Sequence, residues 1–365
     1  MNKVINKALF YKEWINVRWV TVITIIVLLF YKLYAVISLL NQNTMYMKYN
    51  SGMRINRWFN NGLYGGRRTE SSFNNVIYGV SNYYFVMIFV VIILAIILFT
   101  GEKTSETEGF IASMPFTRKE IVFNKWIVGV LSLLISFIVT YIFLSLFYVA
   151  NINDLNTTLN PYSDLVKWFF MDSVQYICIF TFMMLAQTVM GNSIVAGIVG
   201  GMIPILPYFI IRVVRILITL RYGFIQYIVI GFNKIEDWLN IYSYNLTYQN
   251  WVSTETNASW FDYTNYKLKL LVLIILTCLF LYLAYVSYKK VNLEYNLRLI
   301  VFENLEHLFT WVVAICLGFF GGYILGVRGI WGIESLNSFW ICFVSFTIIG
   351  YFISTLLLKV LSSRK

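Results

Sequence analysis

The sequence predicts an all-α polytopic membrane protein with about eight transmembrane helices. Hydrophobic residues make up 59% of its 365 residues and charged residues only 12%, whereas soluble domains carry about 25% charge. Apolar runs of about 20 residues, the length that crosses a bilayer as a helix, alternate with polar segments. These runs use nearly the whole chain, so we expect one transmembrane domain over residues 1–365 without a separate soluble catalytic domain.

The apolar runs fix the predicted positions of the spans, and the basic residues fix their orientation. The predicted spans cover residues 17–40, 83–100, 127–150, 167–190, 193–211, 268–287, 308–327 and 338–358. Basic residues precede the first span, follow the sixth and end the chain, namely Lys3, Lys7, Lys12, Lys289, Lys290, Lys359, Arg364 and Lys365. By the positive-inside rule, both termini are cytosolic. Segments 101–126 and 288–307 are then cytosolic as well, while segments 41–82 and 212–266 are extracellular.

Two features mark the region of the first span. Before it, residues 1–16 alternate apolar residues with lysines at the helical period, which predicts an interfacial amphipathic helix. Within it, Lys32 stands beside Tyr31 and Tyr34. We expect this lysine to extend along the helix and to place its ammonium group at the outer membrane interface.

The cytosolic segment 101–126 is more organised than a connector requires. Pro115 disfavours helical geometry in the residue before it, which predicts a short helix over residues 107–113 and a second helix beginning near Thr117. Thr117 followed three residues later by Glu120 is a capping-box pattern, in which each side chain accepts a hydrogen bond from the other residue's backbone amide. The segment is either a plain connector or a docking surface for a cytosolic partner.

Polar residues and helix breakers also occur inside the spans. Asp172, Gln175 and Gln187 lie in the fourth span, where hydrocarbon penalises them, so they should face protein or water. Asp172 alternatively sits at the outer interface. Pro204 and Pro207 follow a glycine-rich stretch in the fifth span and kink the helix. These five residues are candidates for a translocation path, and the kinked helix is equally typical of ordinary membrane-helix packing.

Signals for catalysis or nucleic-acid binding are weak in this sequence. The four cysteines fall in apolar runs without the spacing of metal ligands. Residues 101–104 lack the glycine spacing of a phosphate-binding loop, and the lone His307 is expected at headgroup level. The net charge of +11 comes from residues at span ends, where cations anchor to anionic headgroups. We therefore expect no catalytic residue, no bound metal and no nucleic-acid partner.

Two segments resemble a known family. The first combines an acidic start with the residues Met114-Pro115-Phe116-Thr117-Arg118-Lys119-Glu120-Ile121 and with Lys125. It looks like the coupling-helix loop of ABC-2 type exporter permeases from low-GC Gram-positive bacteria. The second segment, which begins with Tyr288-Lys289-Lys290 and continues through Glu294, resembles the connector of eight-span permeases of the acetoin-utilisation type. With the order of the spans, the resemblance covers most of the chain.

The resemblance implies a permease subunit in the bacterial cell membrane that pairs with itself or with a sister permease. It would contact membrane lipid and bind two ABC ATPase subunits, and ATP and Mg would be held by those partners, so this chain itself would carry no cofactor. The implied ATPase-docking residues are Glu102, Glu106, Glu108, Phe110, Ile111, Met114, Pro115, Arg118 and Lys119. The glutamates would meet basic groups on the ATPase and the apolar residues would be buried anchors, while Arg118 and Lys119 could instead hold headgroup phosphates.

Three functions stay open at this point. The first is an ATP-driven exporter of amphipathic cargo such as a peptide, an antibiotic or a lipid. The second is a membrane sensor or immunity subunit that uses the same ATPase coupling against an attacking peptide. The third is an intramembrane enzyme, which would require Asp172, Glu306 or His307 to converge on one cavity.

Overall fold

The fold is described here by a computed structural model that covers residues 7–38, 77–78, 83–104, 117–152, 161–251, 259–290, 303–327 and 336–362. Eight helical segments in these ranges are long and apolar enough to cross a membrane: Lys7–Ser38, Tyr83–Gly101, Arg118–Ala150, Tyr162–Val189, Ser193–Tyr222, Tyr266–Lys290, Phe309–Val327 and Leu336–Leu356. The predicted all-α membrane architecture with eight spans is therefore confirmed.

The helices are numbered here in chain order. They are α1 (Lys7–Leu28), α2 (Tyr83–Thr104), α3 (Arg118–Ala150), α4 (Tyr162–Val189), α5 (Ser193–Met202), α6 (Leu206–Tyr222), α7 (Gln226–Leu239), α8 (Tyr266–Lys290), α9 (Glu303–Gly321) and α10 (Leu336–Ser362). Short π-helical segments extend α1 and α9, over Leu29–Tyr34 and Gly322–Val327. Between α7 and α8, strands β1 (Tyr248–Trp251) and β2 (Ser259–Asp262) form an antiparallel pair in which Tyr248 faces Asp262.

The main core is formed by α1, α2, α3, α4 and α8. Its centre contains fully buried apolar side chains from each of these helices, including Val17, Leu94, Phe137, Phe180 and Leu273. Where α1 meets α3, hydroxyl groups replace large apolar side chains. Thr21 and Ser132 share a hydrogen bond of 2.7 Å, and Ser136 donates to the Thr21 carbonyl. Small hydroxyl residues let membrane helices approach closely while satisfying their own polar atoms.

Helices α9 and α10 form a second, tightly packed unit. A Cβ atom added at Gly318 would lie 2.1 Å from Thr347 Oγ1, and one added at Gly321 would lie 2.2 Å from a ring carbon of Phe346. The glycines therefore form the face on which the side chains of α10 pack. This is the small-residue contact that brings helix backbones together in a membrane.

The helix ends differ from the predicted span ends because hydropathy marks apolar sequence and not the limits of the hydrogen-bonded helix. Residues 7–16 continue without a break into the first span, so the described part of the predicted interfacial helix is the start of α1. Helix α3 begins at Arg118, well before residue 127. In the fifth span, a 3₁₀ turn at Ile203–Ile205 separates α5 from α6 at the prolines, and α6 continues past residue 211 to Tyr222.

Candidate functional site

The start of α3 has the geometry that the sequence predicts. Thr117 is the N-cap residue, and its hydroxyl accepts a hydrogen bond from the Glu120 amide at 3.3 Å. In return, the Thr117 amide donates to Glu120 Oε2 at 2.9 Å. Two amides that the helix itself cannot satisfy thus find acceptors. The predicted capping box is confirmed, and it fixes the point at which segment 101–126 enters the bundle.

Two turns further along α3, Lys125 is buried in an ion pair with Glu13. Its Nζ lies 3.0 Å from Glu13 Oε1 on α1, and only 1% and 3% of the two side chains are exposed. The same ammonium group donates to the Leu98 carbonyl at 2.5 Å and lies 5.0 Å from the centre of the Phe99 ring. Since a buried charge is tolerated only when it is paired and hydrogen-bonded, this contact joins α3 to both α1 and α2.

Lys103 joins the end of α2 to the end of α4. Its ammonium group donates to the carbonyls of Gln187 and Met190, at 2.5 and 2.7 Å, and lies 3.2 Å from Gln187 Oε1. These carbonyls belong to the last turn of α4 and to its C-cap residue Met190, where no further helical amides bind them. A cation at this position also complements the negative end of the helix dipole. Gln187 in turn donates to the Ser193 carbonyl at the start of α5.

Arg118 makes a similar contact with α8. One guanidinium nitrogen donates to the carbonyls of Tyr288 and Lys289, at 3.2 and 3.0 Å, and so satisfies the end of that helix. The next residue, Lys119, is exposed and stands 5.8 Å from the Phe123 ring. We refer to Lys103, Arg118 and Lys125 as the basic triad. Its members flank the connection between α2 and α3. Lys103 binds the end of α4, Arg118 binds the end of α8, and Lys125 binds Glu13 on α1.

A second polar cluster lies at the other end of the bundle. Its member Tyr83 is twenty residues before Lys103 on α2, a distance of about 30 Å at about 1.5 Å per residue. Lys32 is only 3% exposed; its Nζ donates to the Ile77 carbonyl at 2.7 Å and lies 4.4 Å from the centre of the Tyr83 ring. The expectation that Lys32 extends to the interface is therefore wrong. The ammonium group is bound inside the protein by a backbone carbonyl and by the face of an aromatic ring, so it is stabilised without contact with water.

Asp172 is the acidic member of this second cluster. It is 1% exposed and accepts a hydrogen bond of 2.8 Å from the Tyr83 hydroxyl. Among the described residues, Lys32 and Asp172 make no direct ion pair, and both line a small cavity with Tyr78, Tyr84 and Asn245. The free volume of about 10 Å³ is room for about one water molecule. The cluster is thus a polar site that matches a water or a single polar group in size.

The chain beside this cluster is held by its own polar contacts. Tyr78 donates from its hydroxyl to the Asp164 carbonyl at 2.7 Å, and its carbonyl accepts from the Thr247 hydroxyl at 2.6 Å. Burial, reinforced by the Asp164 carboxylate, raises the pKa of Tyr78 far above its usual range. The phenol therefore stays protonated and keeps its role as a hydrogen-bond donor.

The comparisons with known proteins identify the family. The family model described as "ABC-2 family transporter protein" matches residues 9–293, which is more than half of the chain. This chain belongs to the ABC-2 transporter family. It is accordingly a multi-pass transmembrane permease of an ABC transporter. No curated protein and no solved structure matches the chain.

The structure separates the polar residues that the sequence suggested for a path through the permease. Asp172 and Gln175 lie together in the half of α4 that is close to Lys32, and Gln175 donates to the Tyr242 carbonyl at 3.1 Å. Gln187 lies fifteen residues beyond Asp172, or about 22 Å along α4, beside Lys103. Pro204 is half-buried and Pro207 exposed, at and just after the break between α5 and α6. All three polar side chains are buried in protein, but they do not form one group.

Most of the docking residues implied for the permease lie outside the described residues. These are Glu106, Glu108, Phe110, Ile111, Met114 and Pro115, together with the short helix expected over residues 107–113. Glu102 belongs to the last turn of α2, and its side chain also lies outside the description. The connector 291–302 is not described either. Of the implied docking residues, only Arg118 and Lys119 have described side chains.

Sequence reasoning did not find the partners of the basic triad. In sequence, Glu13 falls within the predicted amphipathic helix over residues 1–16, and Lys125 belongs to the segment that resembles the family. The available signal was the position of Lys125, a charge seven residues into a helix that is otherwise strongly apolar, since such charges almost always have a partner inside the bundle.

His307, the candidate base of an intramembrane enzyme, is exposed on α9. Within the described ranges, no group of three or more histidine, cysteine or acidic residues could hold a metal ion.

Proposed function

We propose that this permease is the membrane subunit of an ATP-driven exporter and that segment 101–126 docks a cytosolic ABC ATPase. The observation that carries the proposal is the basic triad. Both helices that flank the connection, α2 and α3, are bound through charged side chains to other helices, within one or two turns of where they leave the bundle. A plain connector between two spans would need none of these contacts.

The triad provides a route by which force on the segment would reach the bundle. A push on α3 acts on α8 through Arg118 and on α1 through Lys125 and Glu13, while a push on α2 acts on α4 and α5 through Lys103. Rigid-body motion of packed helices, driven by closure of an ATPase dimer, is an established way to switch a membrane protein between two states. The buried ion pair makes the link stiff, because stretching it would leave two charges unpaired in a dry environment.

The cargo and the assembly are inferred from chemistry and from the family resemblance. Segment 212–266 is rich in aromatic residues and segment 41–82 contains five basic residues, a combination that suits amphipathic cargo such as a peptide, an antibiotic or a lipid. The permease would pair with itself or with a sister permease and have both termini in the cytosol. ATP and Mg would be bound by the ATPase subunits and not by this chain.

Docking is tested by co-purification with the ATPase from the same membranes. Replacing Phe110 and Met114 with alanine should reduce the amount of ATPase recovered with the permease while the permease still inserts at its normal level. The matched control replaces Phe85 and Phe89, which are 60% and 63% exposed on α2 far from the segment, and should keep the wild-type ratio. Recovery of the ATPase at the wild-type ratio with the docking variant would refute the docking role.

The direction of transport requires a separate measurement. Proteoliposomes that contain permease and ATPase should move an amphipathic peptide or lipid away from the side that receives ATP. Retention of the cargo in the membrane, with protection of the cell but no net movement, would instead support a sensor or immunity subunit.

A further inference from the structure

The fifth span is broken in its middle, where a 3₁₀ turn separates α5 from α6. Pro204 and Pro207 have no backbone amide, so each of them removes one hydrogen bond from the helical ladder. Sharp kinks in helices occur at such points. The Tyr242 hydroxyl donates to the Gly201 carbonyl beside the break at 2.9 Å. Because the ladder is interrupted here, the angle between α5 and α6 depends on contacts with other helices.

Helices α9 and α10 contact the fifth span on both sides of this break. We refer to α9 with its π-helical extension and α10, residues 303–327 and 336–362, as the α9–α10 unit. On α5, Ala196 is fully buried in a small apolar cluster against which Phe309 and Leu358 pack. On α6, Val213 is buried in a separate cluster with Phe339. The two contacts therefore involve opposite ends of α10.

The two contacts are about equally far apart on the fifth span and on α10. Ala196 and Val213 are seventeen residues apart, or about 25 Å at about 1.5 Å per residue. Phe339 and Leu358 are nineteen residues apart, or about 28 Å. Between the contacts the break is exposed: Met202, Ile203 and Ile205 have 62%, 40% and 43% of their surface accessible. The α9–α10 unit thus bridges the break and touches the fifth span at either side of it.

The α9–α10 unit is itself tightly packed over its length. A Cβ atom added at Gly350 would lie 3.0 Å from Ala314 Cα, and one added at Gly326 would lie 2.5 Å from Phe339 Cα. Backbone therefore meets backbone at two positions that are twelve residues apart on α9. Close-packed helices resist deformation and transmit strain, so the unit behaves as a single rigid body.

We propose that the α9–α10 unit is a brace that holds the broken fifth span at one bend angle, and that release of either contact lets α6 move relative to α5 about the break. The two contacts are apolar, and apolar side chains gain little by leaving lipid for protein. They can separate while the backbone contacts inside the unit persist. The unit begins at residue 303, after the residues 9–293 that match the family model. The brace is thus a function beyond the proposed ATPase docking and independent of it.

The bend is measured by the distance between two nitroxide labels on the full-length chain in lipid nanodiscs. Four native cysteines are first replaced by alanine: Cys178, Cys278, Cys316 and Cys342. One label is attached at Arg212→Cys on α6 and the other at Phe170→Cys on α4, two exposed positions. Arg212 lies eight residues beyond Pro204, or about 12 Å, so a change of about 20° in the bend moves its label by about 4 Å. Double electron–electron resonance detects a shift or widening of this size.

Two variants release the two ends of the brace separately. Phe339→Ala removes the contact with α6, and Phe309→Ala removes the contact with α5. We expect each of them to shift or widen the distance distribution, because an angle held at two points is lost when either point is released. If Phe339→Ala does not purify as a folded protein, Val213→Ala tests the same contact from the side of α6. The control is Phe352→Ala, which truncates a side chain of α10 that is 62% exposed and should leave the distribution unchanged.

Two outcomes would overturn the proposal. The first is a wild-type distance distribution in the variants at both ends, which would show that other contacts set the bend. The second is a change with Phe339→Ala and none with Phe309→Ala, which would show a local packing contact at α6 and no brace across the break. Both measurements use the permease without ATPase, so failure of the docking proposal would leave them unaffected.

Discussion

Replacing Lys125 with methionine is the sharpest test of how segment 101–126 is joined to the first helix. The change removes the ammonium group that pairs with Glu13 at 3.0 Å. It leaves the carboxylate buried beside Lys12, whose Nζ lies 3.7 Å from Glu13 Oε1 and whose side chain is 44% exposed. Removing one partner of a buried ion pair costs about 3–5 kcal/mol, because the other charge stays uncompensated. Both partners are almost fully buried, so solvent screening does not reduce this estimate.

The double variant makes the reasoning falsifiable. Replacing Glu13 with leucine and Lys125 with methionine together removes both charges and supplies apolar groups, a change that is often neutral or stabilising. Equilibrium unfolding in mixed detergent micelles should therefore show that the double variant is more stable than Lys125→Met alone. If the cost of the double variant equals the sum of the two single costs, the two residues do not interact and the proposed link is wrong.

A surface lysine on the same helix provides the control. Lys119 is exposed, so Lys119→Met should change the free energy of unfolding by less than about 0.5 kcal/mol. The functional readout is ATP hydrolysis per ATPase subunit bound to the permease. We expect Lys125→Met to lower the cargo-stimulated part of that rate more than it lowers binding of the ATPase, whereas Lys119→Met should not.

Three further predictions follow from single contacts. Thr117→Ala should destabilise the start of α3 by about 1 kcal/mol, because it removes the capping oxygen, whereas Thr117→Ser keeps that oxygen and should not. The rate of amide hydrogen exchange in the first turn of α3 measures the loss. Gly326→Ala should lower the apparent unfolding temperature, because its Cβ would lie 2.5 Å from Phe339 Cα and such overpacking costs about 1–3 kcal/mol. The control is Gly231→Ala, which should be neutral or stabilising because the added Cβ would have no atom within 4 Å. If Gly231→Ala lowered the unfolding temperature more than Gly326→Ala, the packing of α9 on α10 would be contradicted. Burial, with help from the nearby Asp237 carboxylate, raises the pKa of Tyr244 to about 12. The unfolded chain loses this proton first, near pH 10, so stability should fall as pH rises from about 10 to 12. The fall should be shallower in Tyr244→Phe, and an unchanged slope would show that Tyr244 is not protected.

Features that depend on local sequence could be predicted well. The eight spans follow from apolar runs of sufficient length, since the cost of placing polar groups in hydrocarbon acts on each run separately. The capping box at Thr117 needs only residues three positions apart, so its geometry was correct before any tertiary contact was known. The break at the prolines of the fifth span is local for the same reason, because proline has no amide for the helical hydrogen bond.

Features that depend on residues far apart in the sequence could not be predicted in this way. Lys32 was expected at the interface, but its partners are Ile77 and Tyr83, which reach it from other parts of the chain. Residues 212–266 are predicted only as an extracellular segment, whereas the position of α7 depends on the ion pair between Asp237 and Lys269, which are 32 residues apart. Hydropathy reports how each residue partitions by itself and contains no information on which partner a buried charge will find.

The sequence alone determined that the chain crosses the membrane eight times and that a capped helix begins at Thr117, because solvation and backbone hydrogen bonding are settled over a few neighbouring residues. The tertiary structure decided which charges are buried and what they bind. Lys103, Arg118 and Lys125 became contacts between helices only when folding brought carbonyls and a carboxylate to within hydrogen-bond distance, since Coulomb energy in a dry interior depends steeply on separation and burial.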